Sequence, residues 1–117
     1  MTDLHALLGN VAGYAAGYRA DVPEAAVVPP PDAAAAVRAA LGGLRDEPAD
    51  PAEVVKELTA AVEPGLVATT GPRYFGFVIG GALPAATAAD MLAVAWDQPA
   101  FNTVTSPAAA RATVFAP

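Results

Sequence analysis

Leu4, Leu7, Leu8, Val11 and Tyr18 recur at helical spacing behind Thr2-Asp3, a pair that can cap a helix start. The pattern predicts a first amphipathic helix ending near Tyr18 to Asp21, stabilised mainly by laying its apolar face on another surface. Val27 to Pro31, VVPPP, then removes three successive backbone donors and predicts an extended strap or linker. Asp32 is placed to cap an alanine-rich helix running to about Leu44, with Val37, Ala40, Leu41 and Leu44 on one face and Gly42-Gly43 weakening its end. After a loop from Arg45 to Asp50, the run Asp50-Pro51-Ala52-Glu53 combines a cap, a proline at the first helical position and an acid three residues after the cap. Val54, Val55, Leu58, Ala61 and Val62 supply the stripe of this third helix, and Pro64-Gly65 ends or kinks it.

From Gly71 to Leu83 the periodicity gives way to aromatic and aliphatic residues interrupted by Gly76, Gly80 and Gly81, which predicts irregular or extended chain. Pro84 opens a helix through Ala89, Met91, Leu92 and Ala95 to Trp96 that is apolar on nearly all sides, the pattern of a buried helix. Asp97-Gln98-Pro99 stops it, a loop carries Phe101 and Asn102, and Ser106-Pro107 marks another helix start. No repeat of solenoid period and no convincing alternating strand interrupts this order. The expected fold class is predominantly α, with a helical arm over residues 1–70 and a second segment over 71–117.

Composition narrows the function. In 117 residues, six Lys and Arg stand against twelve Asp and Glu, a net charge of −6, and the cations are scattered singly. Nucleic acid is therefore not an expected partner, because phosphate neutralisation needs clustered cations. The absence of cysteine rules out disulfides and thiolate metal sites and suits a reducing cytoplasm. The N-terminus lacks the cationic region of a secretory signal. Phe77 to Trp96 approaches the roughly 20 apolar residues of a membrane span. Pro84, Asp90 and Gly80-Gly81 interrupt it and no cation flanks it, so no membrane span is expected.

Self-contained chemistry is scarce. His5 is the sole histidine and stands beside the first helix's apolar stripe without a nucleophile partner, so it reads as a surface or packing residue. The glycines of the Gly71–Leu83 run match neither a Walker loop nor a dinucleotide fingerprint. Asp46, Glu47, Asp50, Glu53 and Glu57 gather at a helix start, where negative charge is favourable by about 0.3 to 1 kcal/mol each when exposed. Lys56, the only lysine, lies between Glu53 and Glu57 and is expected to be a solvated, ion-paired ammonium.

The pieces GPRYFGFVIGG, LPAATAADMLAVAWDQ and TSPAAA occur in the order found in the N-terminal part of group II pyridoxal-phosphate-dependent amino-acid decarboxylases, which include aromatic-amino-acid and glutamate decarboxylases. The chain resembles that family from its first helix through the VVPPP strap to Ser106-Pro107, most specifically from Gly71 onward. The resemblance implies the N-terminal segment of a fold-type I, aspartate-aminotransferase-like α/β enzyme, a homodimer whose N-terminal helices wrap around the partner subunit, and a small amino acid as substrate. It implies that Phe77, Val78, Ile79 and Gly80 approach the substrate side of the active site, and that the loop carrying Pro99 and Phe101 enters the neighbouring subunit's pocket. The alternative for Phe75, Phe77 and Phe101 is an ordinary place in a core.

The same resemblance exposes what is missing. The family's ring-stacking histidine, its acid facing the pyridine nitrogen and its Schiff-base lysine belong to a large domain with no counterpart in this sequence. After Ser106-Pro107-Ala108-Ala109-Ala110 the chain reads RATVFAP and ends, as expected of a truncated or frameshifted frame or a split gene. The chain is accordingly expected to contribute dimer interface and pocket wall, with no catalytic residue, no cofactor and no metal of its own. The competing expectation is a non-catalytic helical module that associates with itself or with a full-length homologue.

Overall fold

The computed structural model describes residues 3–112, and within them the secondary structure is helical with no strand. The Asp3 side chain accepts the His5 N–H at 3.0 Å and starts α1, Leu4–Asp21. Thr2, the other expected cap, lies outside the described residues. Leu7, Val11, Ala12, Ala15 and Tyr18 form the half-buried face of α1, whereas Leu4 and Leu8 are exposed. The stripe expected from the large residues is thus rotated, because the alanines at 12 and 15 take part in the contact face.

α2 spans Ala33–Leu41 and stops short of Leu44. Gly42 leaves the helix at φ 61° and ψ −151°, a conformation that glycine alone adopts readily, so Leu44 falls off the expected apolar face and is fully exposed. Asp32 precedes the helix without a side-chain capping bond. Asp50 does make one, accepting the Ala52 N–H at 2.9 Å at the start of α3, Pro51–Val62. A 3-10 turn, Glu63–Gly65, extends α3 through the Pro64-Gly65 site. α2 packs on α3 and on this turn, with Val37 against Gly65 so closely that a β-carbon there would stand 2.6 Å from Val37 Cγ2. Within the α3 stripe, Val55, Ala61 and Val62 are half-buried, while Val54 and Leu58 are exposed.

The chain beyond the turn folds back on the end of α1. The Ala68 N–H donates to Val27 O at 3.0 Å, and Gly71 lies against Val22, where a β-carbon would approach Val22 Cγ1 to 2.9 Å. Arg73 donates through Nε to Pro23 O at 3.0 Å and through Nη2 to Ala25 O. Among the described residues Val22, Ala33 and Ala68 are the buried apolar ones, so the core of the first unit is built from small side chains. These ties carry the first compact unit, Met1–Gly81, past residue 70; the second is Ala82–Pro117.

The second unit contains α4, Pro84–Trp96, and α5, Pro107–Ala112. Asp97 ends α4 in a left-handed conformation, and its N–H bonds Ala93 O. Contrary to the expectation for a helix apolar all round, Met91, Leu92, Val94 and Trp96 are exposed, and within the second unit the short α5 does not enclose them. Asn102 Oδ1 accepts from the Val104 and Thr105 backbone amides and the Thr105 hydroxyl, organising the loop before α5. Ser106, wholly buried, accepts the Ala109 N–H at 3.1 Å as the expected cap. The closing residues 113–117, including most of RATVFAP, lie outside the described residues.

Candidate functional site

The glycine-interrupted run forms the first unit's most distinctive surface. The Ile79 N–H bonds Gly76 O at 2.9 Å across Phe77 and Val78, whose φ values are 49° and 58°. A four-residue turn with both central residues at positive φ has the hallmark of type I′, which normally selects Asn or Gly. Phe77 and Val78 occupy those positions instead, and a β-branched residue there is an outlier. The Tyr74 ring lies against Gly76, leaving 3.0 Å between Oη and the place of a β-carbon. Phe77 is 93% exposed and Val78 fully so, with Ile79 and Gly80 also exposed. Three of these four expected pocket residues, Phe77, Val78 and Ile79, therefore lie in one exposed apolar turn, and Gly80 follows it directly. In the second unit Pro99 is half-buried and Phe101 is 79% exposed. Phe75, the further aromatic considered for a core, is exposed as well.

Concave surface lies elsewhere in the first unit. A groove of about 300 Å³ runs between α1 and α3, with Leu7, Val11 and Val55 along it and Asn10, Tyr14 and Lys56 at its polar parts. Tyr14 donates to Glu63 Oε2 at 2.7 Å. That bond, followed by desolvation and the Glu63 charge, pushes the Tyr14 hydroxyl up to about 12. A second groove of about 410 Å³ lies between α2 and α3, edged by the Arg45–Glu57 ion pair at 2.5 Å.

Lys56 provides the test of cofactor fit. Its ammonium lies 3.3 Å from Glu53 Oε2 and its side chain is 75% exposed. Glu57, the other expected partner, turns to Arg45. A pyridoxal phosphate held as a Schiff base requires an enclosed lysine, an acid at the pyridine nitrogen and donors for the phosphate. An exposed lysine whose groove offers no second cation does not fit that group. Among the described residues no group of three or more His, Asp or Glu side chains is placed to hold a metal ion, and no helix is long and apolar enough to cross a membrane. His5 is exposed on the first turn of α1.

Three arrangements were not anticipated from sequence: the Arg73 tether, the Tyr14–Glu63 bond and the Asn102 turn. Arg73 carried a signal, as the only cation between Lys56 and Arg111 and set in an apolar run. Asn102 also carried one, because Asn favours side-chain-to-backbone turns. Tyr14 and Glu63 are far apart in sequence and carried none. No protein-family model, curated protein or solved structure matches the chain.

Proposed function

We propose that this chain is the N-terminal segment of a group II pyridoxal-phosphate-dependent amino-acid decarboxylase, a cytoplasmic carboxy-lyase, supplying dimer interface and substrate-pocket wall without catalysing the reaction alone. The observation that carries the proposal is the motif run GPRYFGFVIGG…TSPAAA together with the exposure of its large apolar members Phe75, Phe77, Val78, Leu83, Trp96, Phe101 and Val104. Large apolar side chains left exposed in each of the two units suit surfaces that another polypeptide or a ligand covers. Phe77, Val78, Ile79, Gly80, Pro99 and Phe101 are the proposed wall residues, for the close glycine backbone and apolar side chains suit a small-molecule pocket. The cofactor belongs to the complete homodimeric enzyme, and Lys56 has no part in holding it.

The test adds pyridoxal phosphate to the purified chain and records its absorbance and any amine formation from amino acids. No lysine-dependent aldimine band and no product are expected; a band lost specifically in Lys56→Arg overturns the assignment of Lys56. Co-expression with a cofactor domain of the same family is expected to yield a stable complex with decarboxylase activity. A chain that neither joins such a domain nor alters its activity refutes the decarboxylase reading.

The exposed apolar residues also support the second reading, a non-catalytic module that pairs with itself or a full-length homologue. Light scattering across a concentration series separates the two outcomes. Concentration-dependent oligomers without any complex with the cofactor domain favour the module, and a monomer at every concentration counts against it.

A further inference from the structure

The segment from Thr70 to Gly81 returns close to its starting point, since a β-carbon on Gly81 would stand 3.8 Å from Thr70 O. Close ends over this length define an Ω-loop. Its entry is anchored by the Ala68–Val27 hydrogen bond, the Gly71 approach to Val22, and the two bonds from Arg73 to Pro23 O and Ala25 O. Its tip is the Gly76–Ile79 turn with Phe77 and Val78 at positive φ.

Residues in such conformations persist where their surroundings over-determine them. The exposed Phe77 and Val78 side chains contribute little packing of their own to offset the strain. The supports on hand are local, the Ile79–Gly76 bond and the Tyr74 ring beside Gly76, together with the anchored entry that limits where Tyr74 can sit. Arg73 is the residue immediately before Tyr74, and its planar fork meets two carbonyls at once, a geometry that fixes orientation as well as distance.

We infer that Arg73 is a latch: its grip on the Pro23 and Ala25 carbonyls holds the Gly76–Ile79 turn in its strained form and so keeps Phe77 and Val78 presented at the loop tip. With the latch open, Phe77 and Val78 return to ordinary negative φ, and the apolar tip loses its fixed presentation. The latch does not rest on the decarboxylase reading, because it is argued from the Arg73 hydrogen bonds and the backbone angles at Phe77 and Val78.

The experiment measures, in the isotope-labelled full chain, the intraresidue amide-to-α-proton NOE of Phe77 and Val78. Positive φ brings these two protons together, so wild type is expected to give strong signals at both residues. Arg73→Gln is expected to lower the equilibrium constant for the turn about threefold to tenfold, the scale of losing one solvent-exposed hydrogen bond. Adding Val78→Gly to that variant is expected to restore the turn, since glycine adopts positive φ without a steric penalty. The Tyr14 phenolate titration reports whether the rest of the unit stays folded. Weak signals in wild type, or wild-type signals in Arg73→Gln, overturn the inference. Should Arg73→Gln lose the Tyr14 component, Arg73→Lys decides: it keeps the charge without the fork, so an intermediate turn population supports the latch and an unchanged one overturns it.

Discussion

Replacing Gly71 with alanine places a methyl group at a tight junction of the first unit, one closed by backbone carbonyls as well as a side chain. The new β-carbon would lie 2.9 Å from Val22 Cγ1, 3.2 Å from Ala68 O and 3.3 Å from Val22 O. A side-chain methyl can rotate away, but the carbonyls are tied. Ala68 O accepts the Gly71 N–H at 3.0 Å, and Val22 O accepts the Ala25 N–H at 3.2 Å. Val22 is itself 4% exposed, so little room remains on its far side. Overpacking of this kind costs about 1 to 3 kcal/mol. For a domain of this size each kcal/mol lowers the melting temperature by roughly 4 to 8 °C. Gly80→Ala is the matched control, because nothing lies within 4 Å of its β-carbon position and its φ is not positive. It should be neutral, or stabilising by about 0.4 to 1 kcal/mol through the unfolded chain. Thermal melts followed by far-ultraviolet circular dichroism compare the pair. Equal melting temperatures for Gly71→Ala and Gly80→Ala would refute the claim that Val22 and Gly71 form a closed contact.

The Tyr14 hydroxyl, raised from 10.0 to about 12, has a folded value above its unfolded one. Its stabilising contribution is therefore complete below about pH 10 and disappears as pH rises through about 12. Phenolate absorbance should show a component near pH 12 that Tyr14→Phe abolishes and Glu63→Gln shifts down; an unchanged titration in Glu63→Gln contradicts the hydrogen-bond account. Asp50→Ala should lower stability by about 0.5 to 2 kcal/mol in urea unfolding. Asp32→Ala, at the helix start without a side-chain capping bond, should cost clearly less, and equal losses would contradict the difference between the two caps.

Elements with local causes are legible in the sequence. Asp50-Pro51 and Ser106-Pro107 begin helices because cap and proline act within one turn, and both side chains make their capping bonds. The irregular Gly71–Leu83 run and the helix from Pro84 to Trp96 also follow from local residue types. The end of α2 was misplaced because Gly42 can either weaken a helix or leave it outright, and its φ of 61° shows the second. What remained hidden depends on distant partners: Arg73 reaching Pro23 and Ala25, Tyr14 reaching Glu63, and Ala68 pairing with Val27. At the candidate site the apolar character of residues 77–79 is legible, whereas their union in a turn with Phe77 and Val78 at positive φ is not. Phe and Val are poor residues for that conformation, so local preference argues against it.

The small core gives the exposed apolar residues their energetic meaning. Fully burying one Val, Leu, Ile, Phe or Met side chain contributes about 1.5 to 3 kcal/mol. Of the buried apolar residues Val22, Ala33 and Ala68, two are alanines, while Phe75, Phe77, Val78, Leu83, Val94 and Phe101 remain largely in water. Polar ties such as Arg73 to Pro23 O and Ala25 O can fix the path of the chain, yet an exposed hydrogen bond adds only about 0.5 to 1.5 kcal/mol net. The greater hydrophobic gain encoded in this sequence is therefore still available in the isolated chain, at the turn tip and along α4. Any surface that covers those residues without binding the unfolded chain must raise the stability of the fold, by an amount that grows with the concentration of the covering partner. Association through that surface would thus be thermodynamically coupled to folding, and a melting temperature independent of such a partner would contradict a role for the apolar surface in binding it.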